Sequence, residues 1–139
     1  MTALGAVESR PITLLLVEDD DVDIMSVRRA LDARELDNPL VIAHDGVEAL
    51  EYLRGENGRD RVEPPFIILL DLNMPRMDGI EFLGELRADP NLQHSVVYVL
   101  TTSSAQKDKL QAHAHNVDGF ITKGASQDVV NDVIDLLSL

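Results

Sequence analysis

Carboxylate side chains follow two apolar runs of this chain. Glu18 and Asp19 come directly after the apolar residues 14–17, and Asp71 comes directly after the apolar residues 66–70. A carboxylate at the end of a buried strand loses hydration, and that loss is tolerated only where a cation or a chemical role compensates for it. Two such strand ends in one chain therefore indicate a metal-assisted site.

The three carboxylates suit a magnesium site if the two strand ends meet. Like charges held close together disfavour joint ionisation unless a cation lies between them. Oxygen ligands of this kind favour Mg²⁺, which keeps several waters and binds through one or two carboxylates and a phosphate oxygen. A hydroxyl at Thr101 and an ammonium at Lys123 add the remaining parts needed for phosphoryl transfer. We therefore expect Asp71 to be the nucleophile and to form an aspartyl phosphate.

Short apolar runs and helical patterns alternate along the chain and must position these residues. Five strands are predicted at residues 12–17, 40–44, 66–70, 96–100 and 119–122. Helices are predicted at about 21–34, from 45–46 to a stop at Gly55, from after Asp78 to before Asp89, from 103 or 104 to about 115, and at about 126–137. The acids Asp20, Asp21 and Asp23 have a simple explanation as the charged start of the first helix.

Alternating strands and helices, with several strands apolar throughout, predict an α/β fold with a parallel sheet covered on both faces. For five strands, right-handed crossovers favour the doubly wound order 2-1-3-4-5 found in flavodoxin and CheY. In that order strands 1 and 3 are neighbours, so Asp19 and Asp71 meet at the carboxyl edge. Strand 4 then brings Thr101 to the same edge, and strand 5 brings Lys123.

Composition narrows the class of protein. The chain has 139 residues, of which 12 are basic and 25 acidic, for a formal net charge of −13. We expect one domain over residues 11–139 after a short flexible tail at residues 1–10. The negative charge argues against nucleic acid and anionic membrane surfaces as partners. The absence of cysteine, of a signal peptide pattern and of an apolar run of transmembrane length predicts a cytoplasmic protein.

The motifs together resemble the receiver domain of two-component response regulators. They are the acids Glu18-Asp19, the run DLNMPRMDG from Asp71, LTTS from Leu100, and FITK ending in Lys123. Their order and spacing extend the resemblance from about residue 12 to the end of the chain, which makes it more specific than any single motif. The resemblance implies a signalling protein that catalyses only its own phosphorylation and dephosphorylation.

The same resemblance assigns roles at the magnesium site. It implies that Asp71 accepts a phosphoryl group from the phosphohistidine of a histidine kinase. Asp19 and Asp71 would bind Mg²⁺ directly, Glu18 would act mainly through water, and Asn73 would contribute its backbone carbonyl. Pro75 and Gly79 would shape the turn after the acceptor.

Further roles at the phosphoryl group and the switch are likewise implied by the family. Thr101 and Lys123 would contact the phosphoryl oxygens, and Thr101 and Phe120 would be the switch residues. The chain departs from the family in having Gly124, where a proline usually follows the conserved lysine. Glycine does not enforce a cis peptide, so the loop after Lys123 is open to other geometries.

A narrower resemblance is to the stand-alone regulators paired with bacterial and cyanobacterial phytochromes. It rests on a long second helix and the connection at residues 55–65, which exceeds a usual loop in length. It implies a bacteriophytochrome-type kinase as donor and a histidine phosphotransfer protein as a possible downstream partner. A homodimer through the fourth helix, strand 5 and the fifth helix is a further expectation.

Other interpretations of the same residues remain open at the level of sequence. Phe120 is also explained as a core residue, the pair Met74 and Met77 as packing residues, and Lys123 alone as a solvated loop lysine. A Mg²⁺-dependent phosphatase of the haloacid dehalogenase type shares the fold logic, but it requires an aspartate where this chain has Asn73. A flavin-binding domain would need a phosphate-binding loop where this chain places acids.

Overall fold

The computed structural model describes residues 11–101 and 106–122. Its strands are β1 Thr13–Val17, β2 Leu40–Ala43, β3 Phe66–Asp71, β4 Val97–Thr101 and β5 Gly119–Thr122. Its helices are α1 Asp21–Ala33, α2 Gly46–Arg54, α3 Gly79–Ala88 and α4 Gln106–His113. The tail predicted at residues 1–10, the helix predicted at 126–137 and the residues Lys123 and Gly124 lie outside the described residues.

The sheet has the predicted topology. Its five strands are parallel and lie in the order β2-β1-β3-β4-β5. In the register of the sheet, Val17 pairs with Leu70, Asp71 with Leu100, and Thr101 with Thr122. The doubly wound α/β fold predicted from the alternation of strands and helices is therefore confirmed.

Both faces of the sheet are buried, which explains why the strands are apolar throughout. Alternate residues of a strand point to opposite faces, and in β1 Leu15 and Val17 join one core cluster while Leu14 and Leu16 join the other. Helices α2 and α3 cover the first face with Leu50, Leu53, Phe82, Leu83 and Leu86. Helix α1 covers the second face with Ile24, Val27 and Leu31.

Aspartates begin three of the helices. Asp20 is the N-cap of α1, where its side chain accepts hydrogen bonds from the backbone nitrogens of Val22 at 2.8 Å and Asp23 at 3.3 Å. Asp45 caps α2, and Asp78 forms a capping box at the start of α3. A cap satisfies amide groups that the first turn leaves without a partner. The interpretation of Asp20 as a helix-start acid is confirmed.

The long connection before β3 is folded back on α2, which has nine residues and is therefore not the long second helix that was expected. Val62 is buried, and its amide donates to the carbonyl of Tyr52 at 3.0 Å. Arg59 lies over the Tyr52 ring at 4.6 Å and donates to Glu51 at 3.0 Å.

No helix within the described residues combines the length and apolar character that crossing a bilayer requires.

Candidate functional site

Three carboxylates meet at the carboxyl edge of the sheet. Glu18, Asp19 and Asp71 can each present one carboxylate oxygen so that these oxygens lie within 4.8 Å of one another. The sheet register explains the meeting, because Val17 and Leu70 are level and the next residues along β1 and β3 are Glu18 and Asp71. Within the described residues, this is the one such group of three among His, Asp and Glu side chains.

The backbone turns immediately after each strand and holds the carboxylates in place. The amide of Glu18 continues the sheet by donating to Ala43 at 2.9 Å. The amide of Asp20 then donates to the Glu18 side chain at 3.2 Å. At the neighbouring strand end, the amide of Asn73 donates to the Asp71 side chain at 3.4 Å. Glu18 and Asp71 are buried, being 0% and 7% exposed, whereas Asp19 faces solvent.

The donor set fits a hard divalent cation. All three side chains offer oxygen, the donor that Mg²⁺ and similar cations prefer, and none offers nitrogen or sulfur. Two of the carboxylates are buried and one is exposed, so a cation placed here would keep access to water. A cation would also relieve the repulsion among three negative groups held so close together.

The loop after Asp71 is pressed against the end of its own strand. The amide of Gly79 donates to the carbonyl of Leu72 at 3.0 Å. A Cβ at Gly79 would lie 2.7 Å from the Asp71 carbonyl oxygen and 2.7 Å from the Leu72 Cα, distances too short for any side chain. Glycine is therefore required where the start of α3 returns to the end of β3, as the expected role of Gly79 in this turn implied.

The same loop is joined to the start of α2. The Arg76 Nε lies 2.7 Å from the Asp45 Oδ2, and the amide of Gly46 donates to the carbonyl of Met77 at 3.0 Å. Met74 and Met77 pack against the core, which confirms their interpretation as packing residues. Sequence reasoning identified Asp45 only as a helix start and missed Arg76. A contact between residues 31 positions apart has no local sequence signal.

Of the remaining predicted site residues, the structure describes Asn73 and the backbone of Thr101. Asn73 lies on the exposed loop two residues after Asp71. Thr101 ends β4 at the carboxyl edge, one position beyond the residue that pairs with Asp71, and its side chain lies outside the described part of the chain. Lys123 is also outside it.

Phe120 lies on β5 and is half-buried against the core. Its ring centroid is 5.0 Å from that of His113, and the two planes are tilted by 58°. The Lys109 Nζ is 5.9 Å from the centroid of the Phe120 ring. The ring thus contacts both the core and α4, an arrangement compatible with a packing residue and with a switch residue.

Comparisons with known proteins find a family whose members resemble this chain. The family model of the response regulator receiver domain matches residues 14–135. The response regulator Rcp1 of Synechocystis sp. (strain ATCC 27184 / PCC 6803 / Kazusa) is 36% identical over 113 residues, which cover 81% of this chain and 77% of Rcp1.

Solved structures of similar regulators superpose closely on this chain. The phosphorylated cyanobacterial phytochrome response regulator RcpA is 35% identical, with a TM-score of 0.81 and 91% of each chain covered. The Mn²⁺-bound form of Rcp1 is 34% identical, with a TM-score of 0.80 and with 93% of this chain and 94% of that chain covered. These matches confirm the resemblance drawn from the motifs, including the likeness to phytochrome response regulators. The chain belongs to the response regulator receiver domain family of two-component signalling.

Proposed function

We propose that this chain accepts a phosphoryl group on Asp71 from a histidine kinase, with Mg²⁺ bound, and signals by phosphorylation-dependent protein binding. The observation that carries the proposal is the meeting of Glu18, Asp19 and Asp71 at the carboxyl edge of the sheet. Receiver domains interact with histidine kinases, and membership of this family supports the same class of partner for this chain.

The transfer is a displacement at phosphorus. A carboxylate oxygen of Asp71 forms the new bond to phosphorus while the bond from phosphorus to the kinase imidazole nitrogen breaks. The bonding electrons leave with the imidazole, which is protonated by solvent. Asp71 is 7% exposed at the end of β3, so only a small part of its side chain is open to an incoming phosphoryl group. Restricted access of this kind supports the positioning on which phosphoryl transfer depends.

Mg²⁺ is the metal we propose for the acidic cluster. Asp19 and Asp71 would hold it directly, Glu18 mainly through water, and Asn73 through its backbone carbonyl. When bound, the ion neutralises charge on the transferring phosphoryl group. The oxygen-only donor set supports a divalent cation at this place. The relative Rcp1 has a Mn²⁺-bound form, which supports the binding of a divalent cation by this kind of protein.

Thr101 and Lys123 are proposed to bind the phosphoryl oxygens. Phosphorylation adds about −1.5 to −2 charge and strong acceptor oxygens, which favour a nearby hydroxyl and ammonium. We propose that the end of β4 moves with Thr101 and that Phe120 on β5 changes its packing in response. Such a change transmits a signal only if a partner binds the two conformations with different affinity.

A phytochrome-type kinase is the donor we propose, because the relative RcpA is a phytochrome response regulator and is similar along 91% of both chains. A histidine phosphotransfer protein is the proposed downstream partner. The receiver domain is proposed to span residues 11–139. A cytoplasmic location and a homodimer through α4, β5 and the predicted fifth helix remain predictions.

Transfer of label from purified kinases tests this function. We expect a radiolabelled phytochrome-type kinase to lose its label to the chain, and a chelator of divalent cations to block the transfer. An unrelated histidine kinase serves as the control for specificity. Transfer that is indifferent to the chelator would contradict the proposed role of the metal. Continuous release of phosphate from a small phosphate ester would contradict the proposal and favour a phosphatase.

A further inference from the structure

A buried aspartate at the start of α2 is paired with an arginine of the loop that follows Asp71. The Asp45 carboxyl is 5% exposed, and both of its oxygens are used. Its Oδ1 accepts from the amide of Glu48 at 2.9 Å, and its Oδ2 lies 2.7 Å from the Arg76 Nε. One carboxylate therefore caps the helix and anchors the loop at the same time.

Two further contacts join the same segments. The amide of Gly46 donates to the carbonyl of Met77 at 3.0 Å. A Cβ at Gly46 would lie 2.8 Å from the Met77 Cγ and 2.9 Å from the Met77 carbonyl oxygen. The first turn of α2 and the loop at residues 72–78 are thus in close contact through backbone and side chains.

The backbone of Arg76 indicates that the loop is held rather than relaxed. Arg76 has a φ of +59°, in the left-handed region that residues other than glycine rarely adopt. Such a conformation persists where the surrounding contacts impose it, and these positions cluster at functional sites. The side chain of Arg76 is 59% exposed, so burial of the arginine does not account for its placement.

The ion pair is charged at neutral pH. Burial raises the pKa of Asp45, but the hydrogen bonds from Arg76 and from the backbone of Glu48, together with the charge of Arg76, lower it by more. The pKa of Asp45 therefore lies below its ordinary value of 3.8.

We propose that the Asp45–Arg76 pair is a positioning device that holds the loop at residues 72–78 in the conformation needed for divalent metal binding. The loop begins next to Asp71 and contains Asn73, whose backbone carbonyl is a proposed ligand. Arg76 and Asp45 act through the loop and touch neither metal nor phosphate. This inference rests on the proposed function, since it concerns the metal affinity of the same site.

The sign of the effect separates positioning from simple electrostatics. A positive charge near an acidic cluster opposes cation binding. If charge were the only effect, the loss of the Arg76 charge would therefore strengthen Mg²⁺ binding. Removing the charge of Asp45 has the opposite electrostatic effect. If the pair positions the loop, both Arg76→Gln and Asp45→Asn weaken binding, because both release the same contact.

Calorimetric titration of Mg²⁺ into the full chain tests the proposal, with Arg61→Gln as the matched control. Arg61 is 55% exposed, lies 3.9 Å from Glu63 and belongs to the loop at the other end of the sheet. We expect Arg76→Gln and Asp45→Asn each to weaken Mg²⁺ binding about tenfold, as loss of a group that orients a metal ligand typically does. The double variant should be no weaker than either single variant, and Arg61→Gln should bind like wild type.

Amide hydrogen exchange of the metal-free protein supplies a second readout. Arg76→Gln should speed exchange at Gly46, whose amide bonds to Met77. The melting temperature should fall, because the buried Asp45 carboxylate loses its ionic partner, and the variant should remain folded at the temperature of the titration. Mg²⁺ affinity of Arg76→Gln equal to or tighter than that of wild type overturns the proposal. If wild type itself binds no Mg²⁺, the proposed function fails and this inference fails with it.

Discussion

The proposed chemistry depends on single carboxylates that lie where two strands end. Glu18 and Asp71 are 0% and 7% exposed, so both charged groups have little water around them. Two unit charges no more than 4.8 Å apart repel by at least about 3 kcal/mol at an effective dielectric constant of about 20. A divalent cation converts this repulsion into attraction, which makes the metal-free site less stable than its neutralised form.

Asp19→Asn should stabilise the metal-free protein. The change removes one of the three crowded charges without changing side-chain size, and we expect the melting temperature to rise by about 3 °C, a shift typical of about 1 kcal/mol in a domain of this size. Mg²⁺ should raise the melting temperature of wild type and have a much smaller effect on the variant. Thermal unfolding with and without Mg²⁺ measures both effects.

Asp60→Asn is the matched control, since Asp60 is exposed in the long loop before β3 and the net charge changes equally. If Asp19→Asn melts like wild type in the absence of metal, crowding of the carboxylates does not destabilise the metal-free protein.

At the scale of helices and loops, local sequence predicts the ends of elements well. Asp45-Gly46 predicts the start of α2, and Gly55, with a φ of +67°, ends that helix as expected. Helix α3 ends at the residue before Asp89-Pro90 because the residue preceding a proline avoids helical geometry. Each of these signals lies within a few residues of the boundary that it predicts.

Contacts between distant segments could not be predicted in the same way. The guanidinium of Arg87 donates to four backbone carbonyls, those of Gln93, Ser95, His115 and Asn116. These bonds join the end of α3 to two connections, the one between α3 and β4 and the one between α4 and β5. The Asp45–Arg76 pair is of the same kind. Both depend on the finished packing of the sheet and carry no periodicity or motif.

Gly79→Ala should disturb the turn after the acceptor. The new Cβ would meet the Asp71 carbonyl oxygen at 2.7 Å, so we expect a loss of about 1–3 kcal/mol of unfolding free energy, as for other overpacked sites. Phosphorylation of Asp71 should also slow, because the clash displaces the acceptor strand. Denaturant unfolding and the rate of phosphorylation by acetyl phosphate measure the two effects.

Gly84→Ala, in the same helix, is the control for helix propensity. A Cβ at Gly84 would meet only the His115 Cε1, at 3.9 Å, so this change should stabilise α3 by about 1 kcal/mol. Equal behaviour of the two variants would show that the close approach of Gly79 has no consequence.

For the whole molecule, the alternation of apolar runs and helices was enough to predict the strand order and hence the meeting of Glu18, Asp19 and Asp71. A parallel sheet brings the carboxyl ends of neighbouring strands together at its switch point, which is where ligands bind in such folds. The family resemblance then assigned roles that geometry alone does not, such as those of Asn73 and Phe120.

The predicted homodimer through α4, β5 and the fifth helix also belongs to this scale. Leu110 on α4 is 70% exposed, and an exposed leucine on this surface favours association by burying apolar area. We expect sedimentation to give a dimer mass, and Leu110→Lys to shift it towards monomer. Val22→Lys, at a side chain of α1 that is 73% exposed, should leave the mass unchanged. A monomer at high concentration, with and without beryllofluoride, would exclude the dimer.

The central claim is that Asp71 is the phosphoryl acceptor, and peptide mass spectrometry after treatment with acetyl phosphate and Mg²⁺ tests it most directly. We predict one phosphoryl group on the peptide containing Asp71, in wild type and in the control Asp60→Asn, and none in Asp71→Asn. Full phosphorylation retained by Asp71→Asn would contradict the account.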